Sequence, residues 1–116
     1  MADQEKLVLT NLYKTIEHRR DNPIENSYTC YLLDKGIDKI LKKVGEECAE
    51  TIIAAKNGDH VETIYEIADL LYHLTVMMVD QGIPLEEVLA EIADRSKKTQ
   101  NLKPMHKVDK NSRVKS

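Results

Sequence analysis

The sequence contains no Trp and no Phe, and its five Tyr are the only aromatic side chains. A core without Phe is built from Leu, Ile, Val, Ala and Met, which suits packed helices better than an aromatic-rich sandwich. Gly and Pro are also scarce, four and three in 116 residues. So few turn formers favour a few long helices over many short strands. The two Cys, Cys30 and Cys48, sit in no CxxC pattern. With no signal-peptide pattern, a disulfide framework is not expected and a reducing cytoplasm is the expected compartment. No apolar run approaches the roughly 20 residues of a membrane span. There is no GxxxxGK[ST] phosphate loop, and no His/Cys cluster has zinc spacing.

What is present is a mildly acidic chain long enough for one core. Apolar residues make up 41% of it and charged residues 32%, with a formal net charge of −3. That average hides an uneven distribution. Residues 103–116 hold Lys103, Lys107, Lys110, Arg113 and Lys115 against Asp109 alone, a net of +4. Residues 1–102 therefore carry −7. The expected organisation is one all-α domain over residues 1–102 and a basic, frayed tail over 103–116. An acidic body argues against nucleic acid as the main ligand, because the phosphate backbone needs a basic surface.

The pattern predicts four helical segments. The first runs from a cap at Asp3 to Arg19, with Leu7, Leu9, Leu12, Tyr13 and Ile16 as a loose apolar face. Asp21-Asn22-Pro23 stops it. Residues 21–36 form a polar connector, long enough to be a binding loop or to contain a short helix. The second segment spans Ile37–Lys56, with Ile37, Ile40, Leu41, Val44, Cys48, Ile52 and Ala55 on one side. Asn57-Gly58 ends it, and Asp59 with Glu62 starts the next in a capping-box-like way. The third segment spans His60–Asp80, so the second and third form an antiparallel hairpin. The fourth begins at Pro84 and reaches Lys98, with Leu85, Val88, Leu89 and Ile92 as its stripe.

The acids of the hairpin are not scattered. Apolar side chains cover most of the third segment, so it is expected to be buried on several sides. Yet Glu62, Glu66, Asp69, His73 and Asp80 fall in one strip about 60° wide at the helical pitch. On the second segment, Glu47 and Glu50 lie on adjoining strips with Lys43 between them. Across the turn, Glu50 and Glu66 sit at one level, each about 11 Å from it, and Glu47 and Asp69 are matched one turn further on. Four carboxylates in one groove repel strongly unless some protonate or a cation intervenes. A hard divalent cation removes the conflict, and Mg²⁺ or, in its place, Mn²⁺ suits carboxylate oxygens with retained water. Either half alone would read as solvated surface.

These residues resemble a known family. Lys43-Val-Gly-Glu46-Glu47-Cys-Ala-Glu50 followed by Glu66-Ile-Ala-Asp69-Leu-Leu-Tyr-His is similar to the EExxE…ExxD signature of the MazG-type all-α nucleotide pyrophosphohydrolases. The spelling ADLLYHL, with Ser27-Tyr28-Thr29 upstream and Gly82…Val88…Glu91…Arg95 downstream, is closer to the phosphoribosyl-ATP pyrophosphohydrolases of histidine biosynthesis. The resemblance covers about residues 10–97. Cys48 departs from it, standing where a small Ala or Gly is expected on the core side. The tail after Leu102 is also outside the pattern. No companion cyclohydrolase domain is recognised, as in a free-standing form of the enzyme.

The resemblance implies hydrolysis of the α–β phosphoanhydride of phosphoribosyl-ATP, giving phosphoribosyl-AMP and pyrophosphate. It implies Mg²⁺ on Glu47, Glu50, Glu66 and Asp69, with Glu46 as the first candidate to orient or deprotonate water and a second-ligand role beside it. Lys43, Lys39, Lys56 and Arg95 are candidates to meet substrate phosphates. His73 is expected to support a carboxylate rather than bind metal. Tyr28 and Tyr72 either stack on a base or pack, and Ser27 and Thr29 either bond phosphate or cap a helix. A third segment so apolar needs a second subunit to cover it. The expected fold is thus a MazG-like bundle whose four-helix core is completed by homodimerisation, as the resemblance also implies. Two other functions keep the same acidic groove: a housecleaning (d)NTP pyrophosphohydrolase, and a non-enzymatic helical module that binds a cation or partner.

Overall fold

The computed structural model describes Glu5 and residues 7–98; the expected cap at Asp3 and the basic tail at 103–116 lie outside them. Among the described residues the secondary structure is five helices and no strand. They are α1 (Val8–Asp21), α2 (Tyr28–Lys35), α3 (Ile37–Lys56), α4 (His60–Gln81) and α5 (Leu85–Ser96). No described helix is long and apolar enough to cross a membrane.

The boundaries follow local chemistry. Helix α1 runs two residues past the expected Arg19 and closes where the Asn22 N–H bonds the His18 carbonyl at 2.8 Å, just before Pro23. The connector contains a short helix, α2, whose start is fixed by Ser27: its Oγ accepts the Cys30 N–H at 3.1 Å. Such a cap contributes about 1 kcal/mol. Gly36, at φ 92°, lets α3 follow α2 with no linker, a conformation most L residues avoid. Helix α3 spans the expected residues. Asp59 caps α4 by accepting the Glu62 N–H at 3.0 Å, and Gly82 closes α4 in the left-handed region at φ 70°.

Helices α3 and α4 pair as a hairpin, and α1 and α2 pack on α4 and on each other. The core is Ile16 from α1, Leu32 from α2, Ile40 from α3, and Val76 and Val79 from α4. Leu12, Tyr13, Leu33, Tyr72 and Met77 flank it. The Tyr13 hydroxyl donates to the Ile83 carbonyl at 2.8 Å and ties α1 to the end of α4. The core is therefore aliphatic, as the missing Phe and Trp require.

The apolar side of the hairpin is covered only in part. Thr75, Val76 and Val79 are buried, whereas Val61, Ile64 and Tyr65, on the first turns of α4, are exposed. Leu41, Cys48 and Ile52, expected on the core side of α3, are exposed as well. Periodicity marks the side of a helix that wants cover; α3 pairs with α4, and the core shared with α1 and α2 takes in Val76 and Val79 of its C-terminal half, while Val61, Ile64 and Tyr65 stay exposed.

Helix α5 belongs, from Glu86 onward, to a second compact unit. It ends at Ser96, two residues before the expected Lys98, and is laced by Glu91–Arg95 at 2.8 Å and Asp94–Lys98 at 3.8 Å. Leu32 is fully buried at the junction of α2 with the core. Leu32→Ala should lower the unfolding free energy by about 2–5 kcal/mol, read from the midpoint of urea denaturation.

Candidate functional site

The hairpin places acids where its helices meet. Glu47 and Glu66 are buried, at 3% and 6% exposure, among helices whose other buried side chains are mostly apolar. One ligand oxygen each from Glu47, Glu50 and Glu66 lies within 4.8 Å of the others, and so do ligand atoms of Glu47, Asp69 and His73. Glu47 is common to both groups, which makes it the centre of the cluster. Glu50, Glu62 and Glu66 also line a cleft of about 230 Å³ that runs to Asn57 and Asp59 at the turn. The pairing of levels expected from the turn is thus what the structure brings together.

The electrostatics of the cluster are unfavourable as it stands. Among the described residues, Glu47 Oε2 and Glu66 Oε1 are buried and have no hydrogen-bond partner. An ionised buried oxygen without a partner is costly. Burial, with the Glu62, Glu47 and Glu50 carboxylates around it, pushes Glu66 up to about 8. Burial also raises Glu47, and Asp69 and Glu50 add to the repulsion. A divalent ion answers both facts: it gives the orphaned oxygens a partner and cancels the repulsion. The donor set of hard carboxylate oxygens fits such an ion.

The remaining candidates divide clearly. Lys43 Nζ stands 3.3 Å from Glu46 Oε1 and 3.9 Å from Glu47 Oε1, so it bridges the exposed Glu46 to the buried cluster. His73 is buried, with Nδ1 2.8 Å from the Asp69 carbonyl oxygen and 3.6 Å from Asp69 Oδ1. A carbonyl can only accept, so Nδ1 carries the proton and Nε2 accepts the Tyr28 hydroxyl at 2.9 Å. His73 is thereby fixed between the Asp69 main chain and the Tyr28 hydroxyl, with the Asp69 carboxylate beside it. Thr29 Oγ1 bonds the Tyr72 hydroxyl, and Ser27 is engaged as the α2 cap, so both have structural partners. Lys56 is exposed at the end of α3, and Arg95 is paired with Glu91 on α5.

Tyr28 and Tyr72 stack at 6.1 Å, which is the packing alternative, but Tyr28 is still 45% exposed and stacks on Tyr31 at 6.1 Å. Lys35 and Lys39 stand 5.8 and 5.9 Å from the centre of the Tyr31 ring. Tyr31 and Lys35 were not singled out from the sequence. Their i, i+4 spacing on α2 was the one signal, and it is commonplace; the contact with Lys39 depends on the sharp α2–α3 junction at Gly36.

A raised carboxylate makes a signed prediction. The share of stability that Glu66 contributes is complete below its usual value of 4.5 and is lost as pH rises toward about 8. Metal-free wild type should therefore lose ground to a Glu66→Gln variant between about pH 5 and pH 8, in chemical denaturation. Mg²⁺ should restore wild type and not the variant. A gap that stays constant across that range contradicts the assignment.

The sequence profile of the phosphoribosyl-ATP pyrophosphohydrolase family matches residues 9–96. The chain is 46% identical over 100 residues to a phosphoribosyl-ATP pyrophosphatase of Bacillus cereus (strain ZK / E33L), covering 86% of this chain and 94% of that one. It is 46% identical over 102 residues to the protein of that name from Bacillus mycoides, covering 88% and 95%. A third, from Bacillus cytotoxicus, is 47% identical over 102 residues, with 88% and 95% covered.

Proposed function

We propose that this chain, which belongs to the phosphoribosyl-ATP pyrophosphohydrolase family, hydrolyses the α–β phosphoanhydride of phosphoribosyl-ATP to phosphoribosyl-AMP and pyrophosphate in a reducing cytoplasm, the second step of histidine biosynthesis. The observation that carries the mechanism is the pair of buried, unpartnered oxygens, Glu47 Oε2 and Glu66 Oε1. They support a site built to be completed by a cation.

Glu47, Glu50, Glu66 and Asp69 are the proposed ligands of Mg²⁺, with Mn²⁺ as a substitute. When bound, the ion neutralises phosphate oxygens, polarises the reacting phosphorus and stabilises the leaving pyrophosphate. The protein's own groups do the rest. Lys43, between Glu46 and Glu47, is placed to meet a substrate phosphate as well as to hold Glu46. Glu46 is exposed beside the buried cluster. It orients the attacking water and takes its proton as the oxygen closes on the α phosphorus. The anhydride bond breaks and its electron pair leaves with pyrophosphate. His73, fixed by its Nδ1–H on the Asp69 main-chain carbonyl, flanks the Asp69 carboxylate at 3.6 Å.

Release of pyrophosphate with phosphoribosyl-ATP, compared with ATP and dNTPs, with and without Mg²⁺, tests this reading. Wild type should prefer phosphoribosyl-ATP and need the ion. A preference for dNTPs would assign it to housecleaning, and no turnover at all to a binding module. Glu47→Gln should lower kcat/KM at least about a hundredfold and weaken Mg²⁺ binding. A folded, inactive variant with unchanged Mg²⁺ affinity contradicts the ligand role.

The exposed apolar residues support a homodimer. Ile52, Ile53, Val61, Ile64 and Tyr65 are each more than half exposed on the hairpin. So large an apolar patch on a small chain marks an interface, and a second copy of the hairpin would complete a four-helix core. At micromolar concentration, sedimentation should give twice the 13.3 kDa chain mass, and Ile64→Asp should shift it to monomer. A monomeric wild type would sink the dimer.

A further inference from the structure

Phosphoribosyl-ATP differs from ATP by one arm, a 5-phosphoribosyl group on N1 of the purine. That arm ends in a phosphomonoester, far along the molecule from the anhydride that is cut. An enzyme selective for this substrate needs an anion site separate from the carboxylate cluster.

The surface beside the cluster offers one. Lys35, at the end of α2, and Lys39, on the first turn of α3, converge on the ring of Tyr31, 5.8 and 5.9 Å from its centre. Among the described residues, neither ammonium has an ion-pair partner, although residues 1–102 carry a net of −7. Both ammonium groups lie within 6 Å of one ring centre, and a dianion bound there would offset both charges. A phosphomonoester, with its second ionisation near pH 6, is close to a dianion at neutral pH. Tyr31 is 42% exposed, so a ligand can reach the ring and both ammonium groups.

The patch is physically continuous with the carboxylates. The step from Tyr31 to Tyr28 is a ring stack of 6.1 Å at 24°. From Tyr28 to His73 it is an edge contact of 5.7 Å, reinforced by the 2.9 Å hydrogen bond from the hydroxyl. His73 then bonds the Asp69 main-chain carbonyl, and its Nδ1 stands 3.6 Å from the Asp69 carboxylate. The exposed faces of Tyr28 and Tyr31 thus form an aromatic platform between a cationic end and an acidic end. That order, cation–aromatic–carboxylate, matches phosphomonoester–purine–anhydride in the substrate.

Resting on the function proposed above, we propose that Lys35 and Lys39, gathered over Tyr31, bind the 5-phosphate of the substrate's N1-phosphoribosyl arm, with the Tyr28–Tyr31 pair supporting the purine. These residues set selectivity for phosphoribosyl-ATP over ATP.

The test uses Lys35→Ala, Lys39→Ala, the double variant and Tyr31→Leu in the full chain. Wild type should bind phosphoribosyl-AMP at least about tenfold more tightly than AMP in calorimetry. The double variant should lose that difference while its affinity for AMP moves little. The KM for phosphoribosyl-ATP should rise about tenfold with each lysine removed, the loss falling on KM rather than kcat. Lys35→Arg with Lys39→Arg should recover most of it. A double variant that keeps the full preference for phosphoribosyl-AMP overturns the proposal. Failure of wild type to hydrolyse phosphoribosyl-ATP would sink the functional reading instead. The patch is still decided then by titrating ribose 5-phosphate: binding lost in the double variant supports it, and equal binding overturns it.

Discussion

Everything at this site depends on the repulsion among carboxylates held together by the α3–α4 hairpin. The three-residue turn Asn57–Asp59, with a cap at each end, sets the level at which the helices face each other, so Glu47 and Glu50 cannot avoid Glu66 and Asp69. The helices place Glu47 and Glu66 out of solvent, where water cannot screen the conflict. The protein responds by raising the proton affinity of Glu66 to about 8 and leaving two oxygens without partners. That response is a poor one for stability and a good one for binding a cation, because an ion meets ligands already gathered and already short of partners.

The helical hairpin was legible in the sequence because its signals are local. Asn57-Gly58 and Asp59 with Glu62 fix both ends of the turn, and helical geometry then carries the register outward to Glu47, Glu50, Glu66 and Asp69. Helix α2 is less legible, because a polar connector of this length can be either a binding loop or a short helix. Eight residues are too few for periodicity to speak, and its one clear marker, the Ser27 cap, could equally have bonded a phosphate. The exposure of Leu41, Cys48 and Ile52 was illegible for another reason. Periodicity reports which side of α3 is apolar, and nothing in it says whether cover comes from this chain or from another.

Charge distribution explains how an acidic protein can take a polyphosphate. The net of −7 over residues 1–102 is concentrated partly in the hairpin groove, where a bound divalent ion would offset it. Cations are sparse but placed: Lys43 spans Glu46 and Glu47, while Lys35 and Lys39 share Tyr31. Composition alone averages these into a mild acidity and hides both features. The five Tyr carry a similar lesson. In a chain without Phe or Trp the centre of the core is aliphatic: Tyr13 and Tyr72 pack against its edge, and Tyr28 stacks on both Tyr72 and the exposed Tyr31 beside the carboxylates.

The two halves of α4 divide the work in a way that one helix makes unavoidable. Toward its C-terminus, Thr75, Val76 and Val79 are buried against α1 and α2, and this stretch anchors the hairpin. Toward its N-terminus, Val61, Ile64 and Tyr65 lack such cover, and the carboxylates of Glu62 and Glu66 sit on the same turns. His73 and Tyr72 stand at the boundary, bonded to Tyr28 and Thr29 of α2. A rigid helix transmits position from its anchored half to its strained half. The core therefore fixes where the acids stand, and the acids need not stabilise the fold themselves. This separation lets a small protein keep a destabilised cluster in place without unfolding around it.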